Sequence, residues 1–114
     1  MYLMLTGFLQ AAALMSTVGV SAADTAEEVT AYNTAMLPLV SVYAEIIDQA
    51  KYEPAVDQDM DFSRSTFGSL IATSREQGIR ADLLERVKKL VDEAAATGHG
   101  AADWPRVIES LHIR

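Results

Sequence analysis

The chain has 114 residues, half of them apolar and 22% charged, which suits one folded domain and excludes a disordered or charged tail. Nine bases against sixteen acids give a net charge of −7, which argues against a nucleic-acid partner because phosphate contacts need clustered Lys and Arg. There is no cysteine, so disulfide scaffolds, thiolate metal sites and a Cys nucleophile are all excluded.

The charge is unevenly spread. Residues 1 to 50 hold five acids (Asp24, Glu27, Glu28, Glu45, Asp48) and no base, Lys51 is the first cation, and the first 23 residues carry no charge. Such a start admits three readings: a secretion signal ending at Val20-Ser21-Ala22-Ala23, a membrane span, or a buried helix. The first lacks a basic n-region and the second lacks flanking Lys or Arg. Apolar residues point in every helical direction (Tyr2, Leu5, Leu9 and Ala12 on one side, Leu3, Phe8 and Met15 on others), the pattern of a helix buried all round. A helix of 20 residues is about 30 Å long, more than so short a chain can encircle, so a partner surface is expected.

Helical patterns follow to the end. Ser21 is placed to cap a helix over residues 22 to about 31. Met36-Leu37-Pro38-Leu39 opens another, with Pro38 in its first turn and Leu39, Val42, Tyr43, Ile46 and Ile47 as its apolar stripe. It is expected to reach about Tyr52, where Glu53-Pro54 stops it. After a loop over 53 to 59, Asp57 or Asp59 caps a helix with Met60, Arg64, Phe67, Ile71 and Ser74 on one face and Leu70 beside it, ended by Gly78. Leu83, Leu84, Val87, Leu90, Val91 and Ala94 mark a further helix from Ala81-Asp82, closed by Gly98. Asp103-Trp104-Pro105 reads as N-cap, N1 and N2 of a last short helix burying Val107, Ile108 and Leu111. With no period-two alternation to compete, the fold class is all-α, a bundle of about five to six helices.

Few residues suggest chemistry on their own. Asp57, Asp59 and Asp61 alternate like the start of a calcium loop, but Phe62 stands where Gly is needed and Gly68 where a bidentate Glu should close it, so capping is the better reading. His99 and His112 share no helical turn, and His99 between Gly98 and Gly100 reads as a turn residue. The dinucleotide fingerprint fails, because Asp103 stands where its third glycine belongs. Tyr32, Tyr43 and Tyr52 read as half-buried helix aromatics with wet hydroxyls.

Three segments together carry a resemblance. They are Met1-Tyr2-Leu3-Met4-Leu5-Thr6-Gly7-Phe8-Leu9-Gln10 through Gly19-Val20-Ser21-Ala22; Met36-Leu37-Pro38 with Met60-Asp61; and Gly98-His99-Gly100-Ala101-Ala102-Asp103-Trp104 with Val107-Ile108-Glu109-Ser110-Leu111. In this order they resemble the C-terminal helical domain of NADPH-dependent imine reductases and reductive aminases, within the β-hydroxyacid dehydrogenase-like group. The resemblance implies a cytoplasmic oxidoreductase with an N-terminal Rossmann domain, a long interdomain helix and an intertwined homodimer whose subunits exchange helical domains. Residues 1–114 would be the dimerisation and substrate-binding domain, beginning within the long helix. The Rossmann domain, with its cofactor loop, and the family's Asp or Tyr proton donor, about two helical turns before Tyr2, are absent from this sequence.

By the same resemblance, Tyr2 would hydrogen-bond the carbonyl or imine, and Leu39 would shape the pocket wall. Met60 and Asp61 match a Met and a polar residue facing the nicotinamide, and Arg64 and Phe67 lie one and two turns further along. A small apolar imine or amine would be the substrate, with NADPH held by the intact enzyme and none by this chain alone, and neither metal nor membrane is involved. Trp104 would seat the last helix. Met60 and Phe67 remain open to a plain packing role. Two other readings stay open: a non-catalytic helical homodimerisation module, and an exported helical protein with residues 1 to 23 as its signal.

Overall fold

A computed structural model describes residues 1–53 and 59–113. Among them the chain is all-α: α1 (Tyr2–Ser16), α2 (Ala22–Met36), α3 (Pro38–Gln49), α4 (Met60–Glu76), α5 (Asp82–Ala94) and α6 (Ile108–Leu111). A π turn, Ala95–His99, continues α5, and a 3-10 turn, Trp104–Val107, leads into α6.

Local chemistry sets the boundaries, several of which differ from expectation. The apolar start yields a helix of 15 residues rather than about 20. The hydroxyls of Ser16 and Thr17 donate back to the carbonyls of Ala13 and Leu14, both at 2.6 Å, and Gly19 turns the chain at φ 80°. Ser21 does cap α2, accepting from the Asp24 N–H at 3.1 Å. The helix continues to Met36, past the expected end near residue 31, because no breaker precedes Pro38. Pro38 has no N–H to continue the ladder, so α3 starts afresh there. It ends at Ala50, which takes the left-handed conformation at φ 53°, before the expected stop at Glu53-Pro54. Asp59 caps α4 through the Phe62 N–H at 3.0 Å, while Asp57 and Pro54 lie outside the described residues. Gly78 and Gly98 take φ 74° and 89° just beyond α4 and α5, the closures expected of them.

The core is small and one-sided. Met60, Val91, Ala94 and Val107 are buried together, with Leu90, Ala102 and Trp104 packed against them. Two pairs of helices pack closely, α4 on α5 and α1 on α2, with α3 leading from the second pair to the turn at Trp104–Val107. Ile71 and Ser74 are also buried on α4, whereas Leu70 and Leu111, 41% and 60% exposed, lie off the core. The expected burial of Leu111 does not occur: α6 is a single turn in which no residue is buried.

The N-terminal pair contrasts sharply. α1 has no buried residue, and Tyr2, Leu3 and Leu9 are 79%, 80% and 61% exposed. A side-chain tie joins it to the far half, where Gln10 Nε2 donates to the Arg80 carbonyl at 3.0 Å. The molecule measures 44 × 28 × 28 Å with a radius of gyration of 15.3 Å, against about 13 Å for a compact chain of this length.

Candidate functional site

The residues expected at a substrate face fall into three places. Tyr2 opens α1 with its ring in solvent, and Leu39 is partly exposed in the first turn of α3. Asp61, Arg64 and Phe67 share α4, where Asp61 and Arg64 form an ion pair at 3.1 Å and Phe67 stacks on Trp104 with ring centroids 5.8 Å apart. Met60, the first residue of α4, has no exposed surface at all; its thioether fills the core between α5 and the 3-10 turn, and in this chain it packs rather than lines a face. Five cavities of about 350 to 600 Å³ are lined by other residues. Three of them lie along the α1–α2 groove: one of about 600 Å³ beside Leu3, Gly7 and Tyr32, one of about 520 Å³ beside Ala11, Met15 and Thr25, and one of about 350 Å³ beside Leu5, Ala26 and Leu37.

The start of α4 is held by the glycine-rich segment that follows α5. The N–H groups of Met60 and Asp61 donate to the carbonyls of Ala102 and Gly100, both at 3.0 Å. Asp61 sits so close over Gly100 that a Cβ there would overlap the carboxylate. Arg64 then bridges two elements: Nη1 donates to Asp61, and Nε donates to Asp92 of α5 at 2.8 Å. Lys88, one turn before Asp92 on α5, donates to its other oxygen at 2.8 Å. The Lys88 bond first, then the Arg64 bond, hold the Asp92 carboxyl below the ordinary carboxylate range against the opposing effect of partial burial. Asp92 and Asp61 in turn raise Arg64 above its ordinary value.

Sequence reasoning missed Asp92, Lys88 and Gly100 as parts of this arrangement. The Lys88–Asp92 spacing of four was a visible signal, but the pairing with Arg64, 28 residues away, has no sequence signature. A second cluster departs from expectation. Tyr52 lies beyond α3, is 8% exposed, and its hydroxyl donates to Glu109 at 3.2 Å, so it is not a helix aromatic with a wet hydroxyl. Burial first, then the Glu109 bond, push its ionisation up. Arg106 lies over the Tyr52 ring at 5.1 Å, and its guanidinium meets His99 Nε2 at 3.1 Å. His99 is in the π turn, as its flanking glycines suggested.

The helix starts and cations bear on cofactor binding. A dinucleotide needs a helix start with open N–H groups, or unpaired cations, for its phosphates. Here Ser21, Asp59 and Asp103 each occupy N–H groups at their own helix or turn starts. Arg64, Arg75, Arg80 and Lys88 each already face an acid. At those starts and on those four side chains, a phosphate would find the groups already engaged. Asp59 and Asp61 are likewise engaged in a cap and an ion pair, and the described residues contain no cluster of three or more His, Asp or Glu suited to a metal. No described helix is long and apolar enough to cross a membrane.

Known proteins share this arrangement of helices. No curated protein matches the chain. Among solved structures, a reductive aminase from Aspergillus terreus in complex with NADPH and ethyl levulinate is 29% identical with a TM-score of 0.91, over 97% of this chain and 39% of its own. An imine reductase from Aspergillus terreus in complex with NADPH4 and dibenz[c,e]azepine is 30% identical, TM-score 0.88, over 96% of this chain and 38% of its own. A Streptomyces aurantiacus imine reductase, 22% identical with a TM-score of 0.89 over 98% of this chain and 38% of its own, shares the fold. The chain therefore spans about two fifths of the length of its solved relatives. The family described as NADPH-dependent reductive aminase-like, C-terminal domain, matches residues 1–112, which takes in the uncharged start and the Gly98–Trp104 segment alike; the chain belongs to that family.

Proposed function

We propose that this chain is the substrate-side and dimer-building part of an NADPH-dependent reductive aminase-like oxidoreductase, acting on an imine or a related C=N or C=O carbon. The observation that carries the reading is the family match over residues 1–112, together with relatives whose structures contain NADPH with ethyl levulinate, or NADPH4 with cyclohexanone and allyl amine or with dibenz[c,e]azepine. When NADPH is bound in such an enzyme, it supplies the hydride. The Rossmann segment that would hold it is outside this sequence, and residues 1–114 form the helical domain of a cytoplasmic enzyme.

The residues of this chain would bind, orient and shield. Tyr2, exposed at the start of α1, offers its hydroxyl to the carbonyl or imine. Leu39 and Phe67 supply apolar wall, Asp61 and Arg64 supply polar contact, and Met60 supports them from the core. The exposed apolar sides of α1 and α2 are the surface against which a second copy packs, which gives Leu3 and Leu9 the burial they lack in one chain. An isologous dimer would set these faces against each other.

The test is complementation. The purified chain is titrated with NADPH alone, then mixed with the separately produced Rossmann domain of the Aspergillus terreus reductive aminase and given NADPH, cyclohexanone and allyl amine. Expected are no saturable NADPH binding by the chain alone, a dimer by sedimentation, and NADPH consumption only in the mixture. Saturable NADPH binding by the lone chain, or no turnover from a mixture that has formed a complex, overturns the reading. A purely non-catalytic dimerisation module would give the dimer without turnover.

A further inference from the structure

The charged network at the start of α4 has more order than a surface ion pair needs. Gly100 seats Asp61, Asp61 and Asp92 hold Arg64 from two helices, and Lys88 fixes Asp92. Two cations and two carboxylates make it neutral as a unit. Arg64 is clamped through Nε and Nη1, which leaves Nη2 with no hydrogen-bond partner among the described residues, on a side chain 40% exposed. A guanidinium fixed on two of its nitrogens and open on the third is a pre-organised donor: its rotamer freedom is already lost, so an acceptor gains its hydrogen bond at little further entropy cost.

We propose that Arg64 is a specificity-determining residue that donates through Nη2 to a carbonyl-type oxygen on the substrate, separate from the reacting carbon, and that Asp92, Lys88 and Gly100 are positioning residues for it. The substrate class is a ketone or imine that also carries an ester, amide or carboxylate group. The network's neutrality is the reason a neutral carbonyl suffices, since an acceptor need not cancel a net charge there. The assignment rests on the proposed oxidoreductase function for its place in catalysis, but the donor itself is testable without turnover.

The experiment follows the arginine Nε–H signals of the 15N-labelled full chain by NMR. Arg64→Lys identifies the Arg64 signal, and Arg86, exposed on α5, serves as the internal control. In the free chain the Arg64 proton should exchange with water about tenfold more slowly than that of Arg86. Acetate and N-methylacetamide are then titrated separately from about 1 to 100 mM, the range of a weak single contact. Expected is a saturable shift at Arg64 and none at Arg86, with binding weakened about threefold in Asp92→Asn. Arg64→Lys, followed through backbone signals of Asp61 and Ser65, should weaken binding about tenfold because the fork is lost while the charge stays. Circular dichroism checks that each variant keeps its helices.

A response to both probes supports a neutral or anionic carbonyl group, and a response to one alone selects that source. Equal shifts at Arg64 and Arg86, no saturable shift with either probe, or unchanged binding in Asp92→Asn overturns the proposal. Where the complemented enzyme turns over, Arg64→Lys should raise KM for ethyl levulinate about tenfold while leaving that for cyclohexanone unchanged. An inactive mixture with an intact NMR response would refute the proposed oxidoreductase function and leave the donor site standing.

Discussion

The two helical pairs of this molecule invert the usual relation between apolarity and burial. α1 is the most apolar helix and buries nothing, whereas α5, whose charged residues Asp82, Glu85, Arg86, Lys88, Lys89, Asp92 and Glu93 leave only a narrow apolar stripe, buries Val91 and Ala94 in the core. The difference is one of direction. Apolar residues on every side of α1 cannot all meet α2, so its excess is left for a surface outside the chain; those of α5 lie on one side and are satisfied by α4 and the 3-10 turn. A chain built this way has one half that closes on its own core and another that leaves most of its apolar surface uncovered.

Truncation of the core should break the comparison most forcefully. Met60→Ala removes a fully buried side chain from a cluster of few members, and a loss of about 2–5 kcal/mol is expected, read by urea denaturation with Trp104 fluorescence. Leu3→Ser, on a side chain 80% exposed, should change the stability of the dilute chain by no more than about 0.5 kcal/mol. It should instead weaken self-association measured by sedimentation. If Leu3→Ser unfolds the dilute chain as readily as Met60→Ala, α1 is part of the chain's own core and the contrast fails.

Gly100→Ala is the next largest effect, and it sharpens how the C-terminal half holds its polar face. Gly100 has φ −61°, a conformation open to any residue, so no backbone penalty accompanies the change. What an added methyl meets is the Asp61 carboxylate, which must swing away from Arg64. That carboxylate is the far end of an exposed side chain and can move, so the cost is that of weakening the Asp61–Arg64 pair, up to about 1 kcal/mol, and thermal unfolding of Gly100→Ala beside Gly68→Ala reads it, since a Cβ at Gly68 meets nothing within 4 Å. Equal behaviour of the two variants would show that Asp61 is not seated by Gly100.

The all-α class, the order of helices and most of the caps were legible because they depend on neighbours in sequence: Ser21, Asp59 and Asp103 each bond within three residues. The end of α3 was not, because Ala50 adopts a left-handed conformation that its side chain does not advertise. The start of α4 at Met60-Asp61 was legible from the acid expected to cap it, but the geometry of its polar side chains was not. Arg64 meets Asp92 only once α4 lies on α5, and Tyr52 reaches Glu109 across 57 residues. Met60 illustrates the limit of reading a face from spacing: positions 60 and 64 share a helix face, yet the first is sealed by Val91 and Val107 while the second, one turn on, reaches the edge.

Acid should separate the two halves more gently. Asp92 is held below the ordinary carboxylate range by Lys88 and then Arg64, and Asp82 is held below it by Arg80. A carboxyl with a lower pKa in the folded than in the unfolded chain contributes stability that is complete above the unfolded value of about 4 and is lost as pH falls through the folded value. Both groups lie on α5, while α1, α2 and α3 contain no cation to form such pairs. Acidification below about pH 4 should therefore loosen the α4–α5 half through these pairs, seen as a change in Trp104 fluorescence, and Asp92→Asn should flatten that limb. Added salt should flatten it too, since both pairs are partly exposed and screened. An acid limb that is unchanged in Asp92→Asn would mean that the network orients Arg64 without contributing to the stability of the half that carries it.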